Sequence, residues 1–263
     1  MKLRLFQVDA FASRVFAGNP AAVVPLDAWL PDATLQAIAT ENNLSETAFL
    51  VGAAGDYHIR CMTPEDEVDL CGHATLASGW VVFNEIERGR TEVRFRSQSG
   101  PLKVAADGDR LALDFPSRPP EPMEGSASAV AAALGVRPRA VLASRDYLAV
   151  LESEDEVRAL KPDMAKVAAL DRMAVIATAP GRDCDFVSRF FVPSLGIPED
   201  PVTGSAHCTL VPYWSKRLGK KSLFARQVSA RGGELWCEDR GDRVTIAGRC
   251  VKYLEGTIEL ADA

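Results

Sequence analysis

The 263-residue chain carries 30 basic and 36 acidic residues, a net charge of -6, and is 47% hydrophobic. Such a composition is ordinary for a folded globular protein and excludes a disordered, fibrous or small disulfide-bridged scaffold. The acidic balance argues against a general binder of nucleic acid or of anionic membrane surface.

The first nine residues alternate as a strand does and lack the apolar stretch of a secretory signal. No uncharged run approaches the ~20 residues of a membrane span. The expected compartment is the cytosol, and the six cysteines, which form no C-x-x-C pair, read as free thiols.

After the opening strand comes a turn at Ala17-Gly18-Asn19-Pro20. Asp32 is placed as the N-cap of a helix that carries Leu35, Ile38 and Ala39 on one face and stops near Asn42-Asn43. Strands follow over 44–51, with Glu46 near the start, and over 58–62. From Gly72 to Phe83 the chain has no charged residue. A strand over 93–96 precedes a hairpin over 102–115 that turns at Asp107-Gly108-Asp109. The proline-dense segment 116–122 predicts a linker, which divides the chain into domains 1–118 and 119–263.

In the second half, Ser126 or Ser128 caps a helix that ends at Gly135. Strands are expected over 141–143, 147–151, 174–177 and 186–192, with helices near 155–160 and 163–170. Gly204 opens a second charge-free stretch, which ends before Lys216. A β-rich tail is expected over 227–230, 234–237, 244–247 and 257–260. Its last strand either stays with its own domain or crosses to the first.

The two halves repeat an order of elements. Each has a strand running from Arg to Pro (Arg60 to Pro64, Arg189 to Pro193), an acidic loop, a Gly-x-Ala step and an uncharged helix. A helix without a polar face must be surrounded on all sides. This predicts two domains, each wrapping a curved sheet around a central helix. Helices that begin at a shared cleft would offer free N–H groups and positive dipole ends to an anion.

Several chemistries fit the residues at those helix starts. Cys71, His73, His207 and Cys208 are zinc-ligand types, but neighbours such as His207 and Cys208 diverge by about 100° on a helix, so no metal site is expected. Cys71 stands at a helix start, where a thiol pKa falls, yet a buried, inert cysteine is the commoner case. Glu46 lies where a helix gives way to a strand entering the core. Partial burial there would raise its pKa and suit a general acid/base, against the plain alternative of a solvated loop residue. Asp200 is equally readable as a complement to a helix dipole. Gly18-Asn19-Pro20 is equally readable as an ordinary turn, and Arg60 and Arg189 as side chains alternating outward.

Taken together, these segments resemble the PhzF family of the diaminopimelate epimerase-like superfamily. The resemblance rests on Val8-Asp9-Ala10-Phe11, Ala17-Gly18-Asn19-Pro20-Ala21, Leu44-Ser45-Glu46-Thr47-Ala48, Cys71-Gly72-His73-Ala74-Thr75 and Glu199-Asp200-Pro201-Val202-Thr203-Gly204-Ser205-Ala206-His207. It implies an α+β fold of two pseudo-symmetric domains, each a β-barrel-like sheet wrapped around a central helix, with an active site between them, no cofactor and a homodimer. It also implies an isomerase acting on a small carboxylate. In the best-understood member, a proton moves along the conjugated ring of 2,3-dihydro-3-hydroxyanthranilate. By the same resemblance Glu46 is the acid/base, supported by His73 and Asp200. Gly18, Asn19, Cys71, Gly72, Thr203, Gly204 and Ser205 are then substrate-binding positions. Two-thiol epimerases of the superfamily carry a second cysteine where Thr203 stands, and a threonine hydroxyl is too weak an acid to replace it. A Cys71-based racemase with an unusual second base, and a binding protein without catalysis, are the alternatives.

Overall fold

In the structure, a computed structural model that describes residues 1–69 and 71–260, the chain forms two units. The first comprises residues 1–114 and the C-terminal segment from 247; the second comprises 115–246.

The first unit begins with β1 (Lys2–Ala10), β2 (Asn19–Leu26), α1 (Asp32–Asn42), β3 (Glu46–Ala53), β4 (Asp56–Met62) and β5 (Glu67–Val68). It continues with α2 (Gly72–Val81), β6 (Glu92–Ser97), β7 (Gly100–Asp107) and β8 (Arg110–Pro116). β1 and β2 are antiparallel, β2 and β3 parallel, and β4 is antiparallel to both β3 and β5. β4 then pairs in parallel with β6, which is antiparallel to β7. Parallel neighbours need a long crossover; α1 fills the first of these and α2 lies in the second.

The uncharged composition of α2 has the expected consequence. Every residue of α2 except Trp80 is buried, and the helix packs against β1, β2, β3 and β7. Close approach to β7 requires Gly79, because a Cβ there would come within 2.6 Å of Val104 Cγ1.

The second unit runs through β9 (Glu121–Pro122), α3 (Ala127–Leu134), β10 (Ala140–Ala143), β11 (Tyr147–Val150), α4 (Glu154–Ala159) and α5 (Met164–Ala168). β12 (Val175–Pro180), β13 (Phe186–Val192), β14 (Ile197–Asp200), α6 (Gly204–Leu218), β15 (Ser222–Gln227), β16 (Gly233–Asp239) and β17 (Arg243–Gly248) follow. The pairings repeat the first unit one for one. β10 and β11 are antiparallel, and β11 and β12 parallel. β13 is antiparallel to β12 and β14 and parallel to β15, which is antiparallel to β16. α6 occupies the topological place of α2 and packs on β15 and β16. Trp214 anchors it, fully buried, with its indole N–H on Thr178 Oγ1 at 3.0 Å. No helix among the described residues is long and apolar enough to cross a membrane.

Several local expectations are corrected. Pro31, not Asp32, occupies the α1 cap position, and the Asp32 carboxylate instead pairs with Arg60 at 2.8 Å. Ser126 stands at the α3 cap position, but its hydroxyl hydrogen-bonds the Tyr147 oxygen at 2.7 Å rather than capping the helix. Gln227 ends a strand instead of starting one, because its amide is bound to the loop before α6. The linker segment contributes β9, which pairs with β10. The last strand, β18 (Cys250–Glu259), is longer than expected and pairs antiparallel with β1 from Lys2↔Glu259 to Ala10↔Cys250. Nine residue pairs of ladder therefore tie the C-terminal segment to the first unit, away from the 119–263 grouping.

Arg60 and Arg189 also do not simply point outward. Arg60 grips Glu67 with two hydrogen bonds of 2.8 and 2.6 Å, and Arg189 grips Glu199 with two of 2.7 Å. Each repeat thus fastens its acidic loop to its central strand just ahead of the buried helix, by a forked pair.

Candidate active site

In the first unit, four side chains from three separate segments meet. Glu46 is the first residue of β3, set by the left-handed Asn43 that ends α1. Asn19 opens β2 directly after Gly18, whose φ of +68° and 2.2 Å Cβ approach to Ala10 O exclude any other residue. Cys71 is the N-cap of α2, and His73 stands in that helix's first turn.

The imidazole of His73 is their hub. Its Nε2 lies 2.9 Å from Glu46 Oε2. Its Nδ1 lies 3.1 Å from Asn19 Nδ2 and 3.6 Å from Cys71 Sγ. The approach of Nε2 to Oε2 is close enough for an ion pair but poorly aligned, so neither buried atom has a well-directed hydrogen bond. The carboxyl keeps 15% exposure and the imidazole 5%, which leaves Glu46 as the side reached from solvent.

Electrostatics favour the buried, inert reading of Cys71 over its activation at the helix start. Burial, aided by a hydrogen bond with Cys61 and the charge of Glu46, pushes its thiol well above the usual range. For His73 burial works against the charged form, and the surrounding Cys71 and Glu46 outweigh it, holding the imidazolium well above its ordinary range. Since Cys71 stays a thiol at neutral pH, the Glu46 carboxylate is the charge that favours the imidazolium.

The corresponding corner of the second unit is built differently. Asp200 ends β14, Thr203 is the N-cap of α6, and Gly204 and Ser205 open the helix. Thr203 donates its hydroxyl to Asp200 Oδ2. Gln227, 1% exposed, ties the turn together: its Nε2 donates to Asp200 O at 2.7 Å and its Oε1 accepts from Thr203 N at 2.9 Å. Ser205 Oγ accepts from Arg145 Nη2 at 3.2 Å. Gln227 and Arg145 escaped sequence reasoning because neither lies in a motif; only the fold brings them to this turn.

The other residues once weighed as zinc ligands belong to the core of the second unit. His207 is fully buried, donates from Nδ1 to Thr203 O at 2.8 Å and packs on Phe186. Burial pushes its pKa down to about 4, so it stays neutral. Cys208 is buried too, with its thiol pushed up to about 11.

The depressed His207 value has a signed consequence. An unfolded histidine takes up its proton near pH 6.5, well before the folded one does. Stability is fully present above pH 6.5 and falls between 6.5 and 4, by up to about 3 kcal/mol from this residue. Urea unfolding measured across that interval should show the loss, and a His207→Gln variant should lack this component. An identical pH dependence in the variant would contradict the assignment.

Comparison with known proteins agrees with the fold. The family described as phenazine biosynthesis-like protein (PhzC-PhzF) matches residues 8–256. An uncharacterized isomerase of Pseudomonas aeruginosa, PA2770, is 52% identical over 260 residues, covering 99% of this chain and 100% of the relative. A crystal structure of a PhzF-family phenazine biosynthesis protein from Enterococcus faecalis superposes with a TM-score of 0.96 at 48% identity, covering 99% of this chain and 100% of that one. At 19% identity, a predicted epimerase of P. aeruginosa, PA4716, shares the fold with a TM-score of 0.77, over 98% of this chain and all of the other. The chain therefore belongs to the phenazine biosynthesis-like (PhzC-PhzF) family of isomerases.

Proposed function

We propose that this isomerase moves a proton on a small carboxylate without a cofactor, with Glu46 as the general acid/base. The observation that carries this reading is the 2.9 Å approach of Glu46 Oε2 to His73 Nε2, with neither atom held by a well-directed hydrogen bond. A carboxylate in that state can receive a carbon-bound proton and return it at a second carbon, while the imidazolium beside it offsets its charge. Asn19 fixes the ring plane. The amides opening α2 at Gly72-His73 bind the substrate carboxylate and favour an enolic intermediate. The 2,3-dihydro-3-hydroxyanthranilate skeleton, a conjugated ring with an activated C–H, represents the substrate class. The family resemblance further supports a homodimer working in the cytosol.

The proximity of Cys71 Sγ to His73 favours a second reading, a one-thiol racemase, but the raised thiol pKa weighs against it. Incubation with a panel of small hydroxylated and unsaturated carboxylates in D₂O, followed by NMR, tests the first. Solvent deuterium should enter a carbon of at least one compound without added cofactor, and Cys71→Ser should reduce that exchange far less than Glu46→Gln. A Cys71→Ser variant as inactive as Glu46→Gln would shift the assignment to the thiol.

A further inference from the structure

We propose that Glu46, Cys71 and His73 form a coordination site for a thiophilic divalent cation such as Zn²⁺, and that occupancy silences the enzyme. One donor atom from each residue lies within 4.8 Å of the other two. A tetrahedral zinc centre, with bonds of about 2.0 Å to nitrogen or oxygen and about 2.3 Å to sulfur, spaces its donors about 3.3–3.6 Å apart. The Cys71 Sγ–His73 Nδ1 separation is 3.6 Å, which already fits that edge. Glu46 presently faces the other ring nitrogen, at 2.9 Å. Rotation of its flexible side chain, with the ring and Cys71 held, brings the third donor in.

The donor set also suits the ion chemically. Sulfur, imidazole and carboxylate select a borderline-soft metal over Mg²⁺ or Ca²⁺. One thiolate and one carboxylate neutralise the dication in full, which a site this enclosed requires. Three protein ligands leave the fourth position for water, as in open zinc sites. Asn19 Nδ2, 3.1 Å from the same Nδ1, gives up that contact when the metal takes the nitrogen. Binding displaces the Cys71 thiol proton, and the second His73 proton where present, to solvent; no redox change is involved. The set differs from the one weighed on sequence, because His207 is committed to Thr203 O and the missing donor was Glu46.

The regulatory half rests on Glu46 being the acid/base: a carboxylate bound to metal cannot accept a carbon-bound proton. The binding half does not. Full-length protein, reduced and freed of metal with a chelator, is titrated with Co²⁺. One equivalent should produce a thiolate-to-cobalt charge-transfer band in the near ultraviolet, which one equivalent of Zn²⁺ displaces. Cys71→Ser should abolish the band. Glu46→Gln should keep it and weaken Zn²⁺ binding by at least the roughly 10–100-fold that loss of an outer-shell partner causes. Absence of the band in the parent protein, or its survival in Cys71→Ser, would overturn the site whatever the activity shows. Deuterium exchange into substrate that continues with Zn²⁺ bound would overturn the silencing alone. Exchange that persists in metal-free Glu46→Gln would instead strike the functional reading and leave the coordination result standing.

Discussion

Replacing Arg189 by Met is expected to lower the unfolding free energy of the protein by about 3 kcal/mol. The guanidinium makes two 2.7 Å hydrogen bonds to Glu199 and lies 4.8 Å over the Phe191 ring. Its remaining nitrogen donates to Leu160 O at 2.8 Å and Val157 O at 3.2 Å, carbonyls at the C-terminal end of α4. Both partners of the pair are largely shielded, at 13% and 21% exposure. Truncation therefore leaves a half-buried carboxylate unpaired and strips a helix end of its donor. It also frees the segment that carries Asp200, one residue beyond Glu199. Arg60→Met, the equivalent change in the first unit, should cost less, because part of its network runs to Asp32, whose side chain is 82% exposed. A double change of Arg189 and Glu199 to apolar residues should recover part of the loss. Urea unfolding of the four proteins checks this ordering; an Arg189→Met variant as stable as the parent would contradict it.

The legible parts of this fold were those with local signatures. The uncharged stretches from Gly72 and Gly204 announced helices enclosed by the fold: α2 is buried except at Trp80, and α6 over most of its uncharged length, with Ser205, Pro212 and Tyr213 half-buried. Alternation marked β1, β4 and β6, and Gly135 ended α3 in the left-handed conformation. The Arg-to-Pro strand, acidic loop and Gly-x-Ala step recur as β4–β5–α2 and β13–β14–α6. What stayed hidden depended on pairing across long stretches of chain. Nothing in residues 250–259 names β1 as their partner, since strand register is set by a hydrophobic face and not by a motif. Arg60 and Arg189 read as alternating surface residues because their carboxylate partners arrive only when the acidic loop folds back. Gln227, the clasp on the Asp200–Thr203 turn, lies 24 residues from Thr203 in a strand of unremarkable composition. At the site, Glu46 and His73 both lay in recognisable motifs, and the Cys71 thiol follows the buried, inert reading rather than the helix-start one. A helix start lowers a thiol pKa only where solvent or a cation shares the charge, and here burial wins.

Glu46→Gln carries the largest functional effect. The substitution keeps size, and hydrogen bonding through the amide, but removes the ionisable oxygen facing His73 Nε2. General acid/base groups contribute about 10²–10⁴-fold to rate. Loss of that order is expected in kcat, with KM changed little, because substrate anchoring by the helix amides is untouched. Thermal stability should stay close to the parent, since the exchanged group is only part-buried and its contact with His73 is poorly aligned. His73→Gln should lower kcat less, as it removes the partner that offsets charge and not the group that carries the proton.

The most direct test follows the proton itself. Parent and Glu46→Gln proteins, each saturated with a substrate found in the carboxylate panel, are compared for exchange of its activated C–H with D₂O. Exchange in the parent and its loss by at least about 10²-fold in Glu46→Gln, at equal substrate occupancy, is the predicted result; equal exchange in the two proteins would contradict a proton carried by Glu46.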